Sequence, residues 1–288
     1  MNKLVLWDLF GGGQNSIYNT TKEYNLPIDV YTFDIVEPQH EKQFKVDLSV
    51  WDIIIKLKDY PKPDIIVASP LCQSFSCALA VKGGTVGWKK CDDGWIQQRT
   101  LDEIQECLKS NPYMKNWKAE VMLQRAKLGV MCIYNTLRII EHYEPKYWYI
   151  ENPRNSLIWN YIKYNYRLNA INNFADYSAY GFLTQKPTNF LSNINLNLKT
   201  GGYTKPKKIK EHNKVYLVYK DCKKVEWVNC RSEMIKRINE ASMDKVQKNK
   251  KQKANDKSTY QIKEASAASA IPHLLLKDIL EQFIKGEK

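Results

Sequence analysis

Asp64-Ile65-Ile66-Val67-Ala68-Ser69-Pro70-Leu71-Cys72-Gln73-Ser74-Phe75-Ser76 is an apolar run that ends in a polar turn carrying a cysteine. A second run, Tyr147-Trp148-Tyr149-Ile150, ends in Glu151-Asn152-Pro153. Both read as strands. In an open α/β sheet, ligands and chemistry gather beyond the carboxyl ends of the strands. A thiol and a carboxylate delivered to one such edge make a nucleophile and a proton donor.

Outward from these two runs the chain alternates strands with helical stretches. Residues 3–9 read as a buried strand that breaks at Gly11-Gly12-Gly13, followed by a helix around 15–24. A strand at 28–35 ends in Asp34-Ile35, and a short one near 44–48 ends in Asp47-Leu48. The spacing of Val121, Leu128, Met131, Cys132, Leu137 and Ile140 predicts an amphipathic helix over 119–143. Such alternation implies an α/β fold with a parallel sheet. Residues 78–116 have no clean period and read as a long loop with some helix. Strand-like pieces follow near 170–174, 188–191 and 215–219. The run 244–259 reads as loop, and 265–283 as a helix broken at Pro272.

Hydrophobic content of 43% suffices for a packed core in a chain of 288 residues. Seven cysteines at irregular spacing argue against a disulfide framework and for a reducing compartment. The chain has no CxxC pair and its four histidines are scattered, so no metal site is expected. No signal peptide and no membrane span are read, so the expected location is cytoplasmic. The net charge of +13 is segregated: residues 199–263 hold 19 Lys and Arg against 7 Asp and Glu. That footprint suits a polyanion.

Asp8, Asp34, Asp47, Cys72 and Glu151 all fall at or just past predicted strand ends. A glycine-rich first turn beside an acidic second strand suits a nucleoside cofactor, the acid taking the ribose hydroxyls. Neither GxGxxG nor a Walker lysine is present, so a cofactor without phosphates fits better.

These residues carry a resemblance to the cytosine-C5 DNA methyltransferases, of phage-type or orphan bacterial kind. Asp8-Leu9-Phe10-Gly11-Gly12 is similar to their first motif, Asp-Leu-Phe-x-Gly. Leu71-Cys72-Gln73-Ser74-Phe75-Ser76 is similar to Pro-Cys-Gln-x-Phe-Ser, and Glu151-Asn152-Pro153 to Glu-Asn-Val. Order and separation agree, and the resemblance covers nearly the whole chain outside the basic stretch. It implies a Rossmann-like, mostly parallel methyltransferase sheet with a small, late-inserted recognition domain. The implied division is 1–194 catalytic, 195–263 target recognition, and 264–288 a helix returning to the catalytic domain.

The resemblance also implies roles. Asp8, Leu9, Phe10, Gly11, Gly12, Asp34, Ile35, Asp47, Leu48, Pro70 and Ser269 would line the S-adenosylmethionine site. Cys72 would attack C6 of a flipped-out cytosine and Glu151 would hold N3. Gln73, Ser76, Asn152, Lys186 and Thr188 would contact the target base or its DNA. The implied partner is double-stranded DNA, met as a monomer in a bacterial or phage-infected cell. A cognate restriction endonuclease is left open.

Three positions depart from the family pattern. Leu71 replaces the proline before the cysteine, Gln185-Lys186-Pro187-Thr188-Asn189 lacks both arginines of the eighth motif, and Ser269 stands for a late asparagine. Two rival readings stay open: a tRNA cytosine-C5 methyltransferase, and a DNA-binding protein without catalysis.

Overall fold

Leu4–Leu9 forms β1, a strand apolar on both sides of its pleat except at Asp8. In the computed structural model, which describes residues 3–77, 80–114, 116–183, 185–212, 214–219, 223–228, 234, 237–238 and 270–286, β1 lies near the middle of a seven-stranded sheet. Ser269, Cys222, Cys230 and the run 244–259 lie outside the described residues. The other strands are β2 (Ile28–Asp34), β3 (Gln43–Lys45), β4 (Ile65–Ala68), β9 (Tyr147–Pro153), β10 (Ile171–Asp176) and β11 (Pro187–Ser192). Their order is β10-β11-β9-β4-β1-β2-β3.

The strands β3, β2, β1, β4 and β9 pair in parallel, and β11 returns antiparallel to β9. The fold is therefore mixed α/β with a mostly parallel central sheet. Chain order runs from β1 outward to β2 and β3 on one side, then to β4 and β9 on the other. The reversal creates a switch point between β1 and β4, the place where open α/β sheets gather their ligands.

Two compact units divide the chain. The first is Met1–Gly12, Leu26–Asn173 and Thr188–Leu196. Its main core lies on the sheet face that carries Trp7, Leu9, Phe33, Ile66, Ala68, Trp148 and Ile150. Against that face pack Ile53 and Leu57 of α2 (Ile53–Leu57), Ile133 and Leu137 of α4 (Ala119–Tyr143), and Ile158 and Ile162 of α5 (Ile158–Asn165). Trp7 is the hub: it meets Phe33 and Tyr143 edge-on at 5.1 and 4.5 Å and donates its indole hydrogen to the Pro61 carbonyl at 3.0 Å.

Residues 78–116 depart from the expected loop. They contain a four-stranded antiparallel sheet of β5 (Ala80–Val81), β6 (Gly84–Thr85), β7 (Trp88–Lys90) and β8 (Ile96–Gln98), then α3 (Leu101–Lys109). Strands of two or three residues are too short to show an alternating pattern, and their turn glycines imitate a loop. Gly83, Gly84 and Gly94 hold the positive φ values of 77°, 143° and 88° that these turns need. Arg99, buried, joins the small sheet by donating to the carbonyls of Thr85 and Lys82. Thr100 and Glu103 form a reciprocal cap that starts α3. Helix α5 also escaped the sequence reading, because its Tyr/Asn-rich stretch shows only Ile158 and Ile162 as a buried pair one turn apart.

The second unit is Gly13–Asn25, Phe174–Pro187 and Asn197–Lys288. Its helices α1 (Ser16–Glu23) and α6 (His273–Lys285) pack together, and buried His273 meets partly exposed Glu23 through an Nδ1 to Oε2 contact at 2.5 Å. The basic stretch forms a three-stranded antiparallel sheet, β12 (Lys207–Glu211), β13 (Lys214–Val218) and β14 (Lys224–Glu226). Leu217 and Val225 turn toward Leu183, Tyr219 and Met234, while Lys207, Lys208, Lys210 and Lys214 stay exposed.

Candidate functional site

Register places the site. Leu9 pairs with Phe33 and with Ala68, and Ala68 pairs with Ile150. The next residue on each strand or its exit therefore lies in one row at the carboxyl edge: Asp34, Phe10, Ser69 and Glu151. Cys72 follows three residues beyond Ser69 in a tight 3-10 turn, Cys72–Phe75. Four of the five expected strand ends thus share one edge of the first unit.

The cysteine turn is tied to the exit of β9. Asn152, buried, donates from Nδ2 to the Pro70 carbonyl at 2.9 Å. The Leu157 amide donates to the Phe75 carbonyl at 3.0 Å, and the Cys77 thiol to the Asn155 carbonyl at 2.8 Å. Cys72 is partly exposed, Gln73 exposed and Ser76 half-buried, while Leu71 is exposed before them. Glu151 is 7% exposed and pairs in register with Phe190 of β11; Thr188, fully buried, pairs with Pro153. Lys186 belongs to the second unit, its ammonium 4.4 Å above the Tyr177 ring.

At the other end of the edge, Asp34 holds the glycine turn. Its Oδ2 accepts the Gly12 amide at 2.9 Å, and its Oδ1 accepts the Ile35 and Val36 amides at 2.7 and 3.4 Å. Ile35 is 63% exposed, unusual for an isoleucine beside a buried strand. Phe10 takes φ 68°, which swings the chain out of β1, and its amide bonds the Phe33 carbonyl at 2.9 Å. Leu9 and Leu48 are core side chains; the Leu48 carbonyl accepts from Asn135 of α4 at 2.9 Å. Asp47 is exposed and uses Oδ1 to close a turn on Ser49, leaving Oδ2 outside that turn.

Neither glycine can be replaced freely. A Cβ on Gly12 would stand 2.5 Å from Gln43 Nε2 and 2.7 Å from Asp34 Cβ. Gly12→Ala should therefore break the Asp34 bond and destabilise the first unit by ~1–3 kcal/mol. Urea unfolding checks the stability loss.

Asp8 is placed unlike the other acids. It lies on the sheet face opposite the main core, 4% exposed, with its carboxyl directly against Gly11, whose Cβ would fall 2.0 Å from Oδ2. Burial, reinforced by the charge of Asp34, pushes its carboxyl up to about 8. Across the sheet Asp8 aligns with Thr32 on one side and, through Val67, with Tyr149 on the other. Asp8 Oδ2, Thr32 Oγ1 and the Tyr149 hydroxyl are all buried, with no hydrogen-bond partner among the described residues. Burial raises the Tyr149 phenol well above its ordinary value, and the carboxyls of Asp8 and Glu151 add to the effect. Sequence reasoning placed Asp8 here but missed that Tyr149 and Thr32 share its row; the alternation of each strand was the available signal.

Cys132 is the contrast to Cys72. Burial first, then Asp47 and Asp34, push its thiol up to about 12, which makes it inert. Among the described residues no group of three or more His, Cys, Asp or Glu side chains could hold a metal ion, and no helix is long and apolar enough to cross a membrane.

No family model matches the chain, and no curated protein matches it. Among solved structures it is similar to that of a mutant of Spodoptera frugiperda DNMT2, at 15% identity and a TM-score of 0.33. The match covers 69% of this chain and 55% of that one, so the chain spans little more than half that protein's length. A likeness so distant says nothing about the chemistry, which rests on the residues at the sheet edge.

Proposed function

We propose that this protein transfers a methyl group from S-adenosylmethionine to C5 of a flipped-out cytosine in double-stranded DNA. One observation carries the reading. The thiol of Cys72 and the carboxyl of Glu151 leave adjacent parallel strands at one edge, and Asn152 ties the two exits together across 82 residues of sequence. The motif resemblance around those same residues supplies the reaction class.

The cofactor fits the other half of the edge. Asp34 and Asp47 offer carboxylates for hydroxyl and amino groups, and exposed Ile35 offers an apolar surface for a purine. These residues, with Phe10, Gly11, Gly12, Leu48 and Pro70 around them, include two acids and no cation. Such a set suits a nucleoside with a cationic tail and disfavours one with phosphates. When bound, S-adenosylmethionine supplies an electrophilic methyl group on its sulfonium.

The residues of this chain do the rest. The Cys72 thiolate forms a bond to C6, and electron density moves through the ring to C5 while Glu151 holds a proton at N3. C5 then carries the electron pair that takes the methyl group, with S-adenosylhomocysteine as the leaving group. A base takes the C5 proton, and breaking of the Cys72–C6 bond restores the aromatic ring and the free thiolate. The target base must leave the duplex for these contacts to be made; the proposed polar contacts are Gln73 and Ser76 beside Cys72, Asn152 beside Glu151, and Thr188, which pairs with Pro153 across β9 and β11. Ser269 and Lys186 complete the proposed set as cofactor and DNA contacts. The proposed catalytic part is 1–194 with the helix of 264–288, and 195–263 is the proposed recognition region.

The lysines of the basic sheet are the proposed phosphate contacts. Raising NaCl from about 50 to about 200 mM should weaken DNA binding roughly 10³-fold, as counterion release predicts for several neutralised phosphates. A flat salt response in fluorescence anisotropy would remove this region from the interface.

Purified protein, labelled S-adenosylmethionine and mixed-sequence duplex DNA test the reading, with bisulfite sequencing of the product. Methylcytosine in one recurring sequence supports it. Transfer to tRNA with none to DNA would change the polymer and keep the chemistry. Binding of cofactor and DNA without any transfer would overturn the enzyme reading.

A further inference from the structure

Leu71, not a proline, stands directly before Cys72. A proline would fix φ locally; Leu71, at φ −44° and ψ 92°, carries no such restraint. The turn is instead gripped from outside. Trp88 of β7, 1% exposed, donates its indole hydrogen to the Ser74 carbonyl at 2.8 Å and stacks on Phe75 at 4.9 Å with the planes 15° apart. Ser74 in turn donates from Oγ to the Arg125 carbonyl of α4 at 2.8 Å. Gly129 leaves no space beneath the turn, since its Cβ would fall 2.3 Å from Ser74 Cβ. Trp88 is itself held: a Cβ on Gly84 would lie 2.2 Å from the Trp88 carbonyl oxygen, so the small sheet closes directly over its backbone.

We infer that Trp88 is the positioning residue for the Cys72 nucleophile, the small β5–β8 sheet supplying from outside the rigidity that Leu71 does not supply within the turn. This inference rests on the proposed reaction. The indole N–H and the Ser74 carbonyl are both removed from water, so the bond orders the turn without competition from solvent. A nucleophile displaced by about 1 Å loses roughly 10²-fold in rate, which sets the scale of the effect. The role differs from core packing because it passes through one hydrogen bond to one carbonyl in the cysteine turn.

The test is the rate of covalent trapping on duplex DNA containing 5-fluorocytosine, with S-adenosylmethionine present. Trp88→Phe keeps an aromatic ring against Phe75 and removes the donor. Trapping should slow at least ~10-fold while the cofactor dissociation constant stays within about twofold. Leu71→Pro in the same background should restore most of the rate, because it puts the restraint back into the turn. The isosteric 3-benzothienylalanine in place of Trp88, which exchanges only the N–H for sulfur, should reproduce the slowing and decides the matter if the phenylalanine variant fails to fold. Trapping at the wild-type rate in either donor-free variant, or slowing that Leu71→Pro leaves untouched, would overturn the inference. If the unaltered protein does not trap fluorocytosine at all, the proposed reaction fails instead.

Discussion

On the proposed reaction, Cys72→Ser should abolish methyl transfer, with kcat lowered by at least ~10³-fold, and should leave S-adenosylmethionine binding within about twofold of the unaltered protein. The reasoning is local. Cys72 stands on a turn whose backbone is held by Pro70, Ser74 and Phe75 contacts, none of which uses the thiol. A serine hydroxyl fits the same space and is far weaker as a nucleophile at neutral pH, because it is almost wholly protonated. The proposed cofactor side of the edge, from Phe10 to Asp34, lies on other strands and should not sense the change. Isothermal titration against the cofactor and single-turnover transfer to DNA measure the two halves separately. Full activity in the serine variant would remove Cys72 as the nucleophile.

Asp8→Asn should stabilise the fold at neutral and alkaline pH and leave it unchanged in acid. The carboxyl of Asp8 is pushed up to about 8 by burial, with Asp34 adding to the effect, whereas in the unfolded chain it titrates near 3.8. The folded state thus holds this proton more tightly than the unfolded state. Stability from this group is complete below about pH 4 and is lost as pH rises toward 8, at ~1.4 kcal/mol per pH unit at most. Asparagine has the shape of the neutral acid against Gly11 and carries no charge to desolvate. The advantage of the variant should therefore grow from pH 4 to pH 8 and then level off, reaching a few kcal/mol, in order of magnitude, at the upper end. Urea unfolding of both proteins across that range tests it, since every other titrating group cancels in the difference. A gap that stays constant with pH would mean that Asp8 is ionised in the folded protein.

These two residues divide what was legible from what was not. Both were visible in the chain because each is a polar group within or just past the carboxyl end of an apolar run, where the chain must meet a turn or a ligand. The four central strands, helix α4 and the helix after β1 follow from the same rule, applied to runs long enough to show their period. The short strands β5–β8 were hidden for want of length, and α5 because tyrosine and asparagine mask its single buried pair. The hold of Asp34 on Gly12 was hidden too, as was the grip of Trp88 on Ser74. Each joins groups whose partnership exists only once distant segments have packed.

By itself, then, the sequence determined which residues end the strands, that a thiol and a set of acids stand among them, and that positive charge is concentrated in 199–263. These are properties of local runs and of composition. Only the tertiary structure decided that β9 lies beside β4, so that Cys72 and Glu151 share one edge. It also decided that Asp8 is buried while Asp47 meets water, though both are aspartates just past apolar residues. The physical reason is common to both. Strand order and desolvation depend on neighbours far away in the chain, and a carboxyl acquires its chemistry from what surrounds it, not from what precedes it.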